Sequence, residues 1–222
     1  MIHRSVWWRR ACTCVDPHYS NTSGVMLVDH LNAVCANVEA LFTVRSSPFL
    51  TNLFAFAESL GLAKAHLQQT LRLVALLHDI GKTEDDKSVV IPHPLHGHPV
   101  HKRHSVVGVY AAKDIYHHSA ILSAEEKHLL YAVIEEHDVS YGLFKESKRL
   151  CTLPTFVRWQ ALNQKVSPVA GAGLLYLLLF KLADTHGHCD LEDVNWFFEQ
   201  TAQAYFKPLG LQLPLPRITD VQ

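Results

Sequence analysis

Sixteen histidines in 222 residues is an abnormal number, and imidazole is the commonest side-chain ligand for transition metals. The strongest local pattern is Leu76-Leu77-His78-Asp79-Ile80-Gly81-Lys82. In it an apolar helix ends in two adjacent side chains of metal-ligand type, followed by a glycine able to stop the helix and then a cation. Neighbouring positions on a helix point about 100° apart, so His78 and Asp79 can reach one ion only at the helix end. There Asp79 can bridge two ions while His78 serves one of them. A chain this rich in histidine produces about one His-Asp pair by chance, and His137-Asp138 is a second copy. The Leu-Leu and Ile-Gly-Lys flanks are what single out the first.

Helices must carry these groups. Apolar residues recur at spacings of three and four over 25–44, 67–77, 106–115, 129–134, 174–182 and 194–205, the period of helices with one buried face. Alternation typical of a strand is confined to 87–91. Asn21-Thr22-Ser23-Gly24 offers caps for the first long helix, and Ser123-Ala124-Glu125-Glu126 reads as a capping box. The His-rich segment 82–103, punctuated by Pro92, Pro94, Gly97 and Pro99, predicts a loop. Residues 142–173 are less periodic and read as a candidate insertion, and 208–222 as an extended tail. The expectation is an all-α bundle in a single domain over 1–222, with an N-terminal extension at 1–20.

His78-Asp79-Ile80-Gly81-Lys82 resembles the signature of the HD-domain superfamily of metal-dependent phosphohydrolases, whose ligands run His, His-Asp, His, His, Asp along a helical bundle. Val28-Asp29-His30-Leu31-Asn32 resembles its first-ligand helix, and His104-Ser105-Val106-Val107-Gly108 its H-x-x-x-G helix start. Ile134-Glu135-Glu136-His137, followed by Gly142, resembles the next histidine helix, and Phe180-Lys181-Leu182-Ala183-Asp184 the final aspartate helix. The resemblance covers about 25–190. It implies an HD-like bundle in which His30, His78, Asp79 and Asp184 hold one ion, and Asp79, His104 and His137 a second. Bundles build such sites by presenting one ligand from each facing helix. Imidazole and carboxylate without thiolate favour iron, manganese, cobalt or nickel over a structural zinc, with magnesium also compatible. Two ions about 3.5–4 Å apart can share a hydroxide that attacks phosphorus near neutral pH, and can polarise the phosphoryl oxygen. Asp79 and Lys82 are then the catalytic residues, Lys82 holding a phosphate oxygen as a point charge. Arg103, Lys181 and His188 are the expected substrate-binding groups, His188 lying one helical turn beyond Asp184.

Composition narrows the substrate. Hydrophobic residues at 48% and charged residues at 18% are ordinary for a globular chain. A formal charge of −1 leaves no global basic field to gather nucleic acid. The five scattered cysteines contain one close pair, Cys12 and Cys14, too few for a zinc site and consistent with reduced thiols in a cytoplasmic protein. Charges break up the first twenty residues as a signal peptide would not allow, and the apolar run 169–180 holds two glycines and is too short to span a bilayer. The expected partner is a small phosphorylated molecule of nucleotide type, a phosphomonoester or phosphodiester, with no membrane. Lys82 stands where the family's 5'-deoxynucleotidases carry a glutamate, and Asp138 follows His137 with no Gly-Tyr-Pro. Both departures turn the resemblance away from those nucleotidases and from cyclic-dinucleotide phosphodiesterases. Two alternatives stay open: a di-iron oxygenase like myo-inositol oxygenase, which uses the same six ligands, and a non-catalytic nucleotide-binding regulatory module.

Overall fold

The computed structural model describes residues 1–16, 24–43, 47–83, 90–92, 99–185 and 192–216. Among them helices dominate: α1 (Val6–Ala11), α2 (Leu27–Thr43), α3 (Pro48–Ser59), α4 (Lys64–Leu77), α5 (His104–Tyr116), α6 (Ala124–Glu136), α7 (Val139–Leu150), α8 (Phe156–Val166), α9 (Ala172–Thr185) and α10 (Glu192–Thr201). The all-α expectation holds with one addition. Within the segment 82–103, β1 (Val90–Pro92) and β2 (Pro99–His101) pair antiparallel, Val90 opposite His101. Several helix starts are written in local side chains. Glu126 N donates to Ser123 Oγ (3.1 Å) while Ser123 N donates to Glu126 Oε2 (2.8 Å), the expected capping box. Ser47 Oγ accepts from Leu50 N beside Pro48 at the first turn of α3. The caps expected at Asn21–Ser23 lie outside the described residues.

The chain divides into two compact units. The first holds Met1–Ala36 and Leu73–Glu135. Leu27, Leu31 and Val34 of α2, Val74 and Leu77 of α4, and Val133 and Ile134 of α6 are buried in it. The N-terminal stretch is folded as far as it is described: Ile2, Trp8 and Ala11 are buried, and Trp7 Nε1 donates to Asp114 Oδ2 at 3.1 Å. After α4 the chain enters a 3-10 turn, Ile80–Thr83, that presses on α5. A Cβ on Gly81 would stand 2.0 Å from the His104 carbonyl oxygen and 2.6 Å from Gly108 N. On the other side, a Cβ on Gly108 would stand 3.2 Å from the His78 carbonyl oxygen. Gly81 is not among the glycines with positive φ, so it is required by this main-chain approach, whereas the sequence suggested a helix-stopping role.

The second unit holds Asn37–Arg72 and Glu136–Gln222. Its inner helix is α9, where every residue from Ala172 to Phe180 is buried. From Gly171 on, the apolar run 169–180 is thus core, while Val169 is exposed, and no described helix is long and apolar enough to cross a membrane. Around it Trp159 meets Phe197 (ring centroids 5.7 Å apart) and Phe49 meets Phe198 edge-on at 5.8 Å, arrangements that aromatic rings favour. The stretch 142–173, expected as a candidate insertion, is mostly α7 and α8. Helices α8 and α9 come so close that a Cβ on Gly173 would lie 2.3 Å from the Asn163 carbonyl oxygen. The buried Asn163 side chain joins them: Oδ1 accepts from Leu174 N (3.2 Å), and Nδ2 donates to Val169 O (2.9 Å) and Ser167 O (3.3 Å). Asn163→Ala should therefore lower the unfolding free energy by about 2 kcal/mol. The measurement is the urea midpoint at unchanged slope; a midpoint equal to that of the parent chain would show that these bonds contribute nothing. Beyond Gly210, residues 211–216 lack regular structure, in line with the expected extended tail, and 217–222 lie outside the described residues.

Candidate metal centre

Leu67, Leu71 and Val74 hold one face of α4 in the interior, and the helix ends at Leu77. His78 and Asp79 follow in the turn beyond it, released from the helical spacing that would point neighbours apart. His78 Nε2 lies 3.4 Å from Asp79 Oδ2. The first turns of α2 bring His30, whose Nε2 is 3.2 Å from His78 Nε2 and 3.3 Å from Asp79 Oδ2. Helix α5 contributes its first residue, with His104 Nε2 3.3 Å from Asp79 Oδ1. One carboxylate oxygen thus faces two imidazoles and the other faces a third.

The rings are held from behind. His78 Nδ1 is 3.0 Å from Ala75 O, and His104 Nδ1 is 2.7 Å from His101 O. A carbonyl oxygen only accepts, so each Nδ1 carries a proton, and the neutral ring then keeps Nε2, the atom nearest Asp79, as its ligand atom. This tautomer is the one a metal needs. The spacing suits an ion too: His30 Nε2, His78 Nε2 and Asp79 Oδ2 stand 3.2–3.4 Å apart, and donors about 2.1 Å from one ion stand about 3.0–3.4 Å from each other. With His78 fully buried and Asp79 nearly so, little water screens the carboxylate. The three groups fit a divalent cation.

Lys82 also reaches the carboxylate. Its Nζ is 2.6 Å from Asp79 Oδ2 and 3.4 Å from Asp16 Oδ1. Asp16, completely buried, was not suggested by the sequence: a single aspartate 66 residues before Lys82, in a stretch read as an extension, carries no spacing signal. Thr83 Oγ1 donating to Ile80 O (2.8 Å) and Lys82 N donating to Asp79 O (2.9 Å) brace the turn that carries both charges.

The other expected residues occupy the second unit or the surface. His137 follows the end of α6, buried, with its ring edge-on to Phe180 at 6.2 Å and its Nε2 3.7 Å from Asp138 Oδ2. Asp184 sits half-buried in the last turn of α9. One turn earlier, Lys181 pairs with Asp193 at 2.9 Å. Burial pushes its ammonium pKa down, but Asp193, Asp184 and Asp138 outweigh that and hold it above the ordinary lysine value. Arg103 is exposed at the start of α5. His188 and the loop histidines His93, His96 and His98 lie outside the described residues. The structure therefore gathers His30, His78, Asp79, Lys82 and His104 in the first unit.

A helical domain with a His-Asp pair at a helix end and further histidines converging on that aspartate is a metal-binding fold. The HD domain family matches residues 51–184, more than half of the chain, and the protein belongs to this family of metal-dependent phosphohydrolases with its His/Asp metal-binding cluster in place. Comparison with curated proteins and with solved structures gives no match.

Proposed function

We propose that the protein hydrolyses a phosphomonoester or phosphodiester of nucleotide type. The observation that carries this reading is the convergence of His30 Nε2, His78 Nε2 and Lys82 Nζ on Asp79 Oδ2, which puts metal donors and a phosphate-seeking cation at one point. When bound, a divalent ion (iron, manganese, cobalt or nickel, with magnesium compatible) would supply a Lewis acid and lower the pKa of a water below its bulk value. His30, His78 and Asp79 would hold it, Asp184 completing that set as the family's ligand order implies. Asp79, His104 and His137 are the proposed holders of a second ion. The carbonyls of Ala75 and His101 keep the His78 and His104 rings oriented, so the donor atoms need no rearrangement on loading. Lys82 is the proposed phosphate ligand, balancing charge that grows on the phosphoryl oxygens. Arg103, Lys181 and His188 are proposed as secondary contacts to the substrate.

The test is a panel of nucleoside monophosphates, cyclic nucleotides and an aryl phosphodiester, assayed on metal-stripped protein reloaded with each ion, in air and under nitrogen. The expected result is metal-dependent phosphoester cleavage that is indifferent to dioxygen. Absence of cleavage with every ion, together with dioxygen uptake by the iron-loaded protein, would overturn this reading in favour of the oxygenase.

A further inference from the structure

Asp16 stands outside everything assigned so far. It is fully buried, yet it belongs to a stretch that precedes all the expected ligands. Its segment is tied by main-chain bonds to the start of α2: Val15 bridges Met26, Asp16 N donates to Val25 O (2.9 Å), and Leu27 N donates to Cys14 O (2.8 Å). The chain enters α2 there, and His30 N donates to Met26 O. The same segment touches the turn that carries Lys82, with the Cys14 thiol donating to Lys82 O at 3.8 Å. Asp16 is thus anchored to both the element that bears His30 and the turn that follows Asp79.

The Lys82 ammonium sits between two carboxylates, 2.6 Å from Asp79 Oδ2 and 3.4 Å from Asp16 Oδ1. Asp79 Oδ2 is also the oxygen that His30 and His78 approach. A divalent ion held by those three groups and the ammonium of Lys82 would therefore claim the same oxygen, and two cations sharing one oxygen repel. The ammonium needs a second anion close by, in a place where water does not screen it. Asp16 meets that need.

We propose that Asp16 is a positioning residue that receives the Lys82 ammonium when a divalent ion takes Asp79, so that the lysine stays at the centre without competing for the metal. This rests on the metal-centre reading above. It makes the N-terminal segment part of the working site.

The experiment is Mn(II) titration of the full metal-stripped chain, followed by calorimetry, with far-UV circular dichroism as the control for folding. Asp16→Asn should bind Mn(II) about 10–100-fold more weakly, the range for groups that support metal ligands from behind. Lys82→Met should bind at least as tightly as the parent. The double variant D16N/K82M should match Lys82→Met to within about twofold, because the proposed effect of Asp16 on the metal runs through the ammonium. A purely structural role for Asp16 would give no such rescue. Parent-like Mn(II) affinity in a folded Asp16→Asn variant would overturn the proposal and leave the metal centre standing. Failure of the parent chain to bind Mn(II) would instead overturn the metal-centre reading and this proposal with it. Should Asp16→Asn lose its helical signal, the double variant decides: Mn(II) affinity about tenfold below that of Lys82→Met would overturn the proposal.

Discussion

Asp79→Ala should abolish divalent-metal binding and lower phosphoester turnover by at least about 10³-fold, the upper scale for removing one preorganised electrostatic group. The expectation follows from how much meets at this one carboxylate. Oδ2 is within 3.4 Å of His30, His78 and Lys82, and Oδ1 is 3.3 Å from His104. Alanine leaves three imidazoles facing one another without the carboxylate that joins them, and leaves the Lys82 ammonium to Asp16. None of these groups belongs to the apolar interior that α2, α4 and α6 build together, so helical content should survive. Asp79→Asn, which keeps the volume and removes the charge, separates the chemistry from packing and should lose turnover as well. Full activity in the alanine variant, with circular dichroism unchanged, would end the assignment of this cluster as the reaction centre.

The second large effect is mechanical. Gly81→Ala should destabilise the fold by at least about 3 kcal/mol, which for a chain of this size lowers the thermal midpoint by roughly 6–12 °C. The added methyl would stand 2.0 Å from the His104 carbonyl oxygen and 2.6 Å from Gly108 N. Both obstacles are backbone, so no rotamer change relieves the clash. Either the 3-10 turn lifts off α5 or α5 shifts, and in both cases Asp79 and His104 separate. Metal affinity should therefore fall along with stability. Gly142→Ala is the control, because nothing lies within 4 Å of its added methyl. Exposed in the interior of α7, that change should be neutral or stabilise by up to about 1 kcal/mol. Equal thermal midpoints for Gly81→Ala and the parent chain would contradict the close approach.

Helices were legible where apolar residues recur at spacings of three and four, yet α3, whose buried residues Phe49, Leu50, Leu53, Phe54, Phe56 and Ala57 are all apolar, was not among those expected. Leu67, Leu71 and Val74 repeat at helical spacing and are buried together, and the Ser123–Glu126 box marks its own helix start. Residues 142–173 hid two helices because polar side chains share the buried stripe. In α7 the inward positions are Ser140, Leu143, Phe144 and Ser147, and in α8 Trp159, Asn163 and Val166. Their spacing is helical but their hydrophobicity is not, so a pattern read from apolar residues alone skips them. The His-Asp pair was legible because its chemistry and flanks sit in one short run. Gly81 was noticed but for a local reason, while the actual one, contact with α5, is set by a neighbour more than twenty residues away. Asp16 was invisible for the same cause: its meaning arises only when its segment pairs with the start of α2.

The family match begins at residue 51, but one corner of the triad, His30, is supplied by the helix before it and lies 3.2 Å from His78. A fragment excised along the borders of the family would look whole by alignment and still arrive with a side missing. For this protein the smallest piece worth cutting out starts upstream of α2, because the architecture recruits its inner wall from sequence that the shared pattern does not span.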